Sequence, residues 1–402
     1  MQTNIHPDLI NLPVIREADS ILRKCVHCGF CTATCPTYQL TGDELDGPRG
    51  RIYLIKNLLE DNQIGQSSLA HLDRCLTCRA CETTCPSGVE YGRLLDIGRE
   101  FATTLRPWPY RLLSRLLRWF IPKRWLFKPL LRIGQLCRPV LPRVLRRHVP
   151  IFTPVRHAQP SVKGAKVLLL SGCVQSAATP NVVAAMAKIL ADQGMESEVI
   201  NEGCCGALDY HLSAHEAARS RMKKVIDLLT TKLDGVEAIV SSATGCGVTI
   251  KEYPEILKFD PDYAARAQLV ANKVMDPVEY FSNRPMHPGE NPRRYHKVAI
   301  HTPCSMQHGM GLVGEIEKQM SAAGFSIVEH KEGHLCCGSA GTYSILQSDL
   351  SGQLRDRKLK ALCRNQPDVI VTANVGCQLH LGEGSNIPVM HWLELIADGL
   401  AI

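Results

Sequence analysis

The stretch CVHCGFCTATCP, Cys25 to Pro36, returns fifty residues later as CLTCRACETTCP, Cys75 to Pro86. Each block reads C-x2-C-x2-C-x3-C-P, with Cys25, Cys28, Cys31 and Cys35 in the first and Cys75, Cys78, Cys81 and Cys85 in the second. Eighteen cysteines in 402 residues, clustered at tight spacings, argue against a secreted disulfide framework and for thiolate ligands in a reducing compartment. The start, MQTNIHPDLINLP, lacks the basic end and apolar run of a secretory signal. No stretch approaches the eighteen apolar residues of a membrane span, so a cytoplasmic chain that does not cross a membrane is expected.

Three thiolates on one tight loop can cap three irons of a cubane, while the fourth is carried off toward a neighbouring cluster, as in two-cluster ferredoxins. The spacing therefore predicts two [4Fe–4S] clusters, one on Cys25, Cys28, Cys31 and Cys85, the other on Cys35, Cys75, Cys78 and Cys81. Pro36 and Pro86 remove a backbone donor and fit a turn after the last ligand. The flanks EADSILRK, RIYLIKNLLE and YGRLLDIGREF have helical spacing, so the module should be helical rather than β-rich. Tetrahedral zinc also takes four cysteines, but two complete iron–sulfur patterns in tandem argue against it. His27 reads as a supporting or surface group, because thiolates already fill the site.

The net charge of +7 belongs to one segment. Arg106 to Arg147 carries twelve Lys or Arg and no acid, leaving 34 basic against 39 acidic residues elsewhere. Within it, YRLLSRLLRWFI puts Leu112, Leu113, Leu116, Leu117 and Phe120 on one helical face and Arg111, Arg115 and Arg118 on another. Trp119 and Trp125 add aromatic anchors, and six prolines are expected to chop the rest into short pieces. This pattern suits contact with a membrane surface or with a partner subunit. Nucleic acid is a poor fit, since no recognised module accompanies the patch.

From about Ala165 the chain repeats with a period near 131 residues. Cys173, Cys204, Cys205 and Cys246 correspond to Cys304, Cys336, Cys337 and Cys377, with GCCGALDYH matching LCCGSAGTY. In both copies apolar strands alternate with helices, which implies a parallel sheet covered on both faces. Each cysteine position falls just after a strand, so four thiols should gather at the carboxyl edge of each sheet. Such sites suit an iron–sulfur cluster, zinc or a redox dithiol. Lone Cys137 and Cys363 read as packing residues. Gly309, Gly311 and Gly314 mimic a dinucleotide fingerprint, but lie several residues past the strand and have no match in the first copy.

The expected fold is α/β overall. A helical ferredoxin-like module (1–105) and a basic Pro/Trp-rich connector (106–160) precede two duplicated cysteine–cysteine–glycine domains with parallel sheets (161–290 and 291–402). On these motifs the chain resembles the iron–sulfur subunits of glycolate oxidase (glycolate dehydrogenase). The wider family includes subunits of lactate utilisation systems, anaerobic glycerol-3-phosphate dehydrogenase and heterodisulfide reductases. The resemblance implies a peripheral complex on the cytoplasmic face of the inner membrane. In it, FAD-containing partner subunits would oxidise glycolate, with D-lactate as a second substrate, and this chain would pass electrons to quinone without cleaving a carbon–hydrogen bond itself. Alternatives of other classes are a chain whose rear sites are catalytic, as in heterodisulfide reductases, and a metal-dependent scaffold that carries no electrons. Each rear repeat ends in one cysteine rather than C-x-x-C, which departs from the five-cysteine heterodisulfide-reductase pattern.

Overall fold

The computed structural model describes residues 1–400 other than 64, 143–145, 147, 148, 157–161, 285, 288 and 290–293. The expected boundaries at 160/161 and 290/291 fall outside the described residues. In the front module, helices Pro13–Lys24, Pro48–Asp61 and Tyr91–Phe101 bury Ile15, Leu22, Ile55, Leu59, Leu94 and Leu95 against one another. Proline starts the first two helices, where its missing N–H costs nothing. Gly98 sets how closely the third approaches, since a Cβ there would lie 2.7 Å from Ile55 Cγ1.

The rear half holds two four-stranded parallel sheets of identical order, β2-β1-β3-β4 and β6-β5-β7-β8. The first comprises β1 (Lys166–Leu170), β2 (Glu196–Ile200), β3 (Val236–Ser241) and β4 (Val274–Met275). The second comprises β5 (Lys297–His301), β6 (Ser326–Ile327), β7 (Val369–Thr372) and β8 (Val389–His391). Central strands β1 and β7 are covered on both faces, which is why VLLL and VIVT read as unbroken apolar runs.

The two sheets share one hydrophobic core that runs from Val167 and Leu190 to Val298, Val371 and Trp392. It is built by exchange. The C-terminal helix Trp392–Asp398 packs on Asn181–Asp192 of the first repeat, while the first repeat's Pro277–Tyr280 packs on Glu315–Ala322 of the second. Gln319 Nε2 donates to Phe281 O at 2.8 Å on one side, and Lys188 Nζ to Leu400 O at 2.9 Å on the other.

The connector forms two long helices, Trp108–Phe120 and Arg124–Cys137. The expectation of short pieces is corrected here: Pro129 sits inside the second helix. No helix among the described residues is long and apolar enough to cross a membrane.

Candidate metal centres

The two front loops have the same backbone. The second and fourth residues after the leading cysteine, His27 and Gly29 in one and Thr77 and Arg79 in the other, are all left-handed. Alternating hands turn successive N–H groups inward, forming a concavity suited to an anionic cluster. Three of these four are not glycine, a strain that metal sites tolerate.

Cys25, Cys28, Cys31 and Cys85 line one cavity with His27, Arg49 and Val89. Burial, then Cys25, pushes the Cys31 thiol up to about 11. Cys75, Cys78, Cys81 and Cys35 form a second group. Burial and then the neighbouring sulfurs hold Cys81 well above the usual thiol range. Thiols so crowded ionise together only against a compensating cation, and four sulfurs per set fit an iron–sulfur cube. Cys35 precedes helix Pro36–Thr41 and Cys85 a turn at Pro86 and Ser87, so only the second proline opens the expected turn.

Sequence reasoning missed Arg51. This fully buried guanidinium donates from Nε to His71 O (2.7 Å) and from Nη1 to Thr37 Oγ1 (3.1 Å), and pairs with buried Asp46 at 3.5 Å. Burial alone would lower its pKa, but Cys75, Tyr91, Cys35 and Asp46 raise it. It supplies fixed positive charge beside the second thiol set. The available signal was an arginine four residues before Ile55 on the apolar face of its helix.

In the first rear repeat Cys173 follows β1, Cys204 and Cys205 follow β2, and Cys246 lies in the first turn of Thr244–Lys251 after β3. Hydrogen bonds from Cys173 and Cys205 hold Cys204 well below the usual thiol range. The second repeat matches this layout, with Cys304 Sγ 3.9 Å from Cys336 Sγ. The glycine after each pair is obligatory. At Gly338 (φ 90°) a Cβ would lie 2.7 Å from Ser351 O and 2.8 Å from Leu354 Cβ, and at Gly206 (φ 89°) 3.0 Å from Met222 Cγ.

The second rear site adjoins the front module. Burial raises the Cys78 thiol and Cys304 raises it further, while Leu76, Cys336 and Tyr343 share an apolar cluster with Cys78 and Cys304 packed against it. Tyr343 donates to Arg74 O at 3.0 Å.

On the connector, Arg111, Arg115, Trp119 and Trp125 are exposed, the tryptophans by 54% and 74%. Arg118 departs from expectation. Its Nε pairs with buried Asp209 at 2.7 Å, which Arg221 also clamps at 2.5 Å, so this cation is turned inward onto the first repeat. Arg124 does the same, donating to Ser171 Oγ at 3.1 Å. Cys137 is exposed rather than packed, and Cys363 is half-buried. Gly309 closes a short π-helical turn, where a Cβ would lie 2.8 Å from Val248 Cγ2.

Residues 21–89 match the 4Fe-4S dicluster domain family, and residues 167–251 and 298–382 each match the cysteine-rich domain family. The glycolate oxidase iron-sulfur subunit of Escherichia coli (strain K12) is 47% identical over 405 residues, covering 100% of this chain and 99% of that protein. This chain belongs to the glycolate oxidase iron–sulfur subunit family. The probable glycolate oxidase iron-sulfur subunit of Bacillus subtilis (strain 168) is 30% identical, covering 95% of each chain. Lactate utilization protein A of the same organism is 28% identical and covers 58% of this chain and 98% of its own length. A crystal structure of a hypothetical protein from Helicobacter pylori shares the fold, with a TM-score of 0.58 at 9% identity, over 98% of this chain and 74% of that one. In this family the front module and the rear repeats are iron–sulfur and cysteine-rich domains on a mixed α/β frame.

Proposed function

We propose that this chain is the electron-relaying subunit of a glycolate-oxidising complex. Flavin-containing partner subunits oxidise glycolate to glyoxylate, with D-lactate as a second substrate, and this chain carries the electrons toward quinone at the cytoplasmic face of the inner membrane. One [4Fe–4S] cluster is assigned to Cys25, Cys28, Cys31 and Cys85, the other to Cys35, Cys75, Cys78 and Cys81. The observation that carries the reading is the crossing of the two sets, each taking one sulfur from the other block. Crossed ligation keeps two one-electron centres close, as a relay from a two-electron flavin needs. The chain's own residues hold the thiolates, bury Cys25, Cys35, Cys75 and Cys81, and place Arg51 against the charge of the second set. Exposed Arg111, Arg115, Trp119 and Trp125 supply the peripheral membrane contact.

The test is Cys28→Ser in the purified complex. Quinone reduction should stop while glycolate still reduces the flavin. Loss of flavin reduction with the complex intact would contradict the relay. A second reading, in which the rear sites are themselves redox centres, is favoured by the packing of Cys78 and Cys304 against one cluster that holds Cys336. Anaerobic iron analysis separates the two: about eight irons per chain for front clusters alone, roughly twelve to sixteen with the rear sites filled.

A further inference from the structure

The rear repeats differ at two buried positions beside their thiols. Leu170 and His301 each close the first strand of their sheet, three residues before Cys173 and Cys304. Ile226 and Lys358 each lie four residues beyond the side chain that packs on the obligatory glycine, Met222 or Leu354. The first repeat thus has Leu and Ile where the second has an imidazole and an ammonium, all four groups nearly or fully buried.

Lys358 has an internal explanation, since it donates to Glu332 O at 2.5 Å. His301 does not. It is 1% exposed, and neither ring nitrogen has a hydrogen-bond partner among the described residues. An unsatisfied buried imidazole is costly, and the leucine in the sister repeat shows that the fold accepts an apolar side chain there. One nitrogen of His301, Cys337 Sγ and Cys377 Sγ all lie within 4.8 Å of one another. All three residues are buried. Thr372, aligned with His301 across the β5–β7 ladder, carries a hydroxyl that is also unpartnered.

We propose that His301 joins Cys337 and Cys377 as a nitrogen ligand to a zinc or iron(II) ion, giving the second repeat a mixed imidazole–thiolate metal centre that the first repeat cannot build. Borderline divalent ions take this donor set, with nitrogen and thiolate ligands at short range. The ion gives the imidazole the partner that the protein withholds. The inference does not depend on electron relay: it holds whether or not the second rear site is redox-active.

The test uses the full chain, purified anaerobically. Wild-type protein should show a nitrogen scatterer in the X-ray absorption of its zinc, or a directly bound nitrogen in the pulsed EPR of a rear iron centre. His301→Leu, the residue of the first repeat, should lose about one metal equivalent per chain or retain the metal with that nitrogen signal gone, leaving the front irons unchanged. His301→Cys should keep the metal, with sulfur replacing nitrogen in its spectrum. Equal metal content in wild type and His301→Leu, with no nitrogen at any rear metal of the wild type, overturns the proposal. Should His301→Leu lose the front irons as well, it has misfolded. The wild-type spectrum then decides alone: nitrogen at the metal supports the proposal, and its absence overturns it.

Discussion

The two rear repeats are built alike and docked differently. The first meets the front module through ion pairs and polar contacts: Arg79 with Glu252, Lys258 with Glu17, and Arg93 donating to Tyr210. It also holds the connector through Asp209. The second meets the front module mainly through sulfur and apolar surface, with Leu76, Cys78, Cys304, Cys336 and Tyr343 in one cluster, and adds two hydrogen bonds, Tyr343 to Arg74 O and Thr83 with His308, but no ion pair among the described residues. Duplication copied the sheet and its four thiols, but the neighbours of each copy separate their roles. Polar contacts fix orientation, whereas the thiol-bearing contact brings two cysteine centres together in a dry setting.

The largest difference between the copies should appear at the obligatory glycines. Both substitutions force a left-handed alanine, but the methyl of Gly338→Ala meets Ser351 O at 2.7 Å and Leu354 Cβ at 2.8 Å, whereas that of Gly206→Ala meets the movable side chain of Met222 at 3.0 Å and Ala218 O at 3.1 Å. Losses of about 4 and about 2 kcal/mol are expected in chemical unfolding. Equal losses would show that the two pair loops are equally tight. Next is Asp209→Asn, which leaves Arg118 and Arg221 without their shared carboxylate. We expect roughly 2 kcal/mol, below the full cost of breaking a buried pair because both arginines are partly exposed. Limited proteolysis should open the connector at Arg118, with the second repeat unaffected.

A smaller effect probes function. If the second site lies on the electron route, Cys336→Ser should slow quinone reduction about tenfold more than Cys204→Ser, a difference near 1.4 kcal/mol in barrier. The reverse ranking would assign the route to the first repeat. A separate comparison is the pH response of the capping boxes that start the exchanged helices, Asp276 with Glu279 and His391 with Glu394. Burial pushes Asp276 up to about 8 and His391 down to about 4. A carboxyl raised on folding contributes stability at low pH that is lost as pH rises from about 4 to about 8. A histidine lowered on folding contributes stability that is lost as pH falls from about 6.5 to about 4. Asp276→Asn should flatten the first slope and His391→Asn the second, read from unfolding midpoints across pH.

Much of this architecture is legible in local sequence because its causes are local. Cysteine spacing groups the thiols in fours, and the runs in VLLL and VIVT announce doubly covered strands. Strands β4 and β8, two and three residues long, are too short to carry a period. Arg118 shows a different limit. Its place in the helical pattern is legible in the sequence, but Asp209, 91 residues away, decides where its charge goes. The nearness of Cys78 to Cys304 and the isolation of His301 likewise depend on docking that no single segment encodes.

The traded helices of the rear half carry a consequence for dissection. Each repeat expressed alone would expose the seat its sister normally fills, so neither fragment should be soluble by itself. Mixed in equal amounts, the severed halves should find each other and restore the whole, as complementing pieces do.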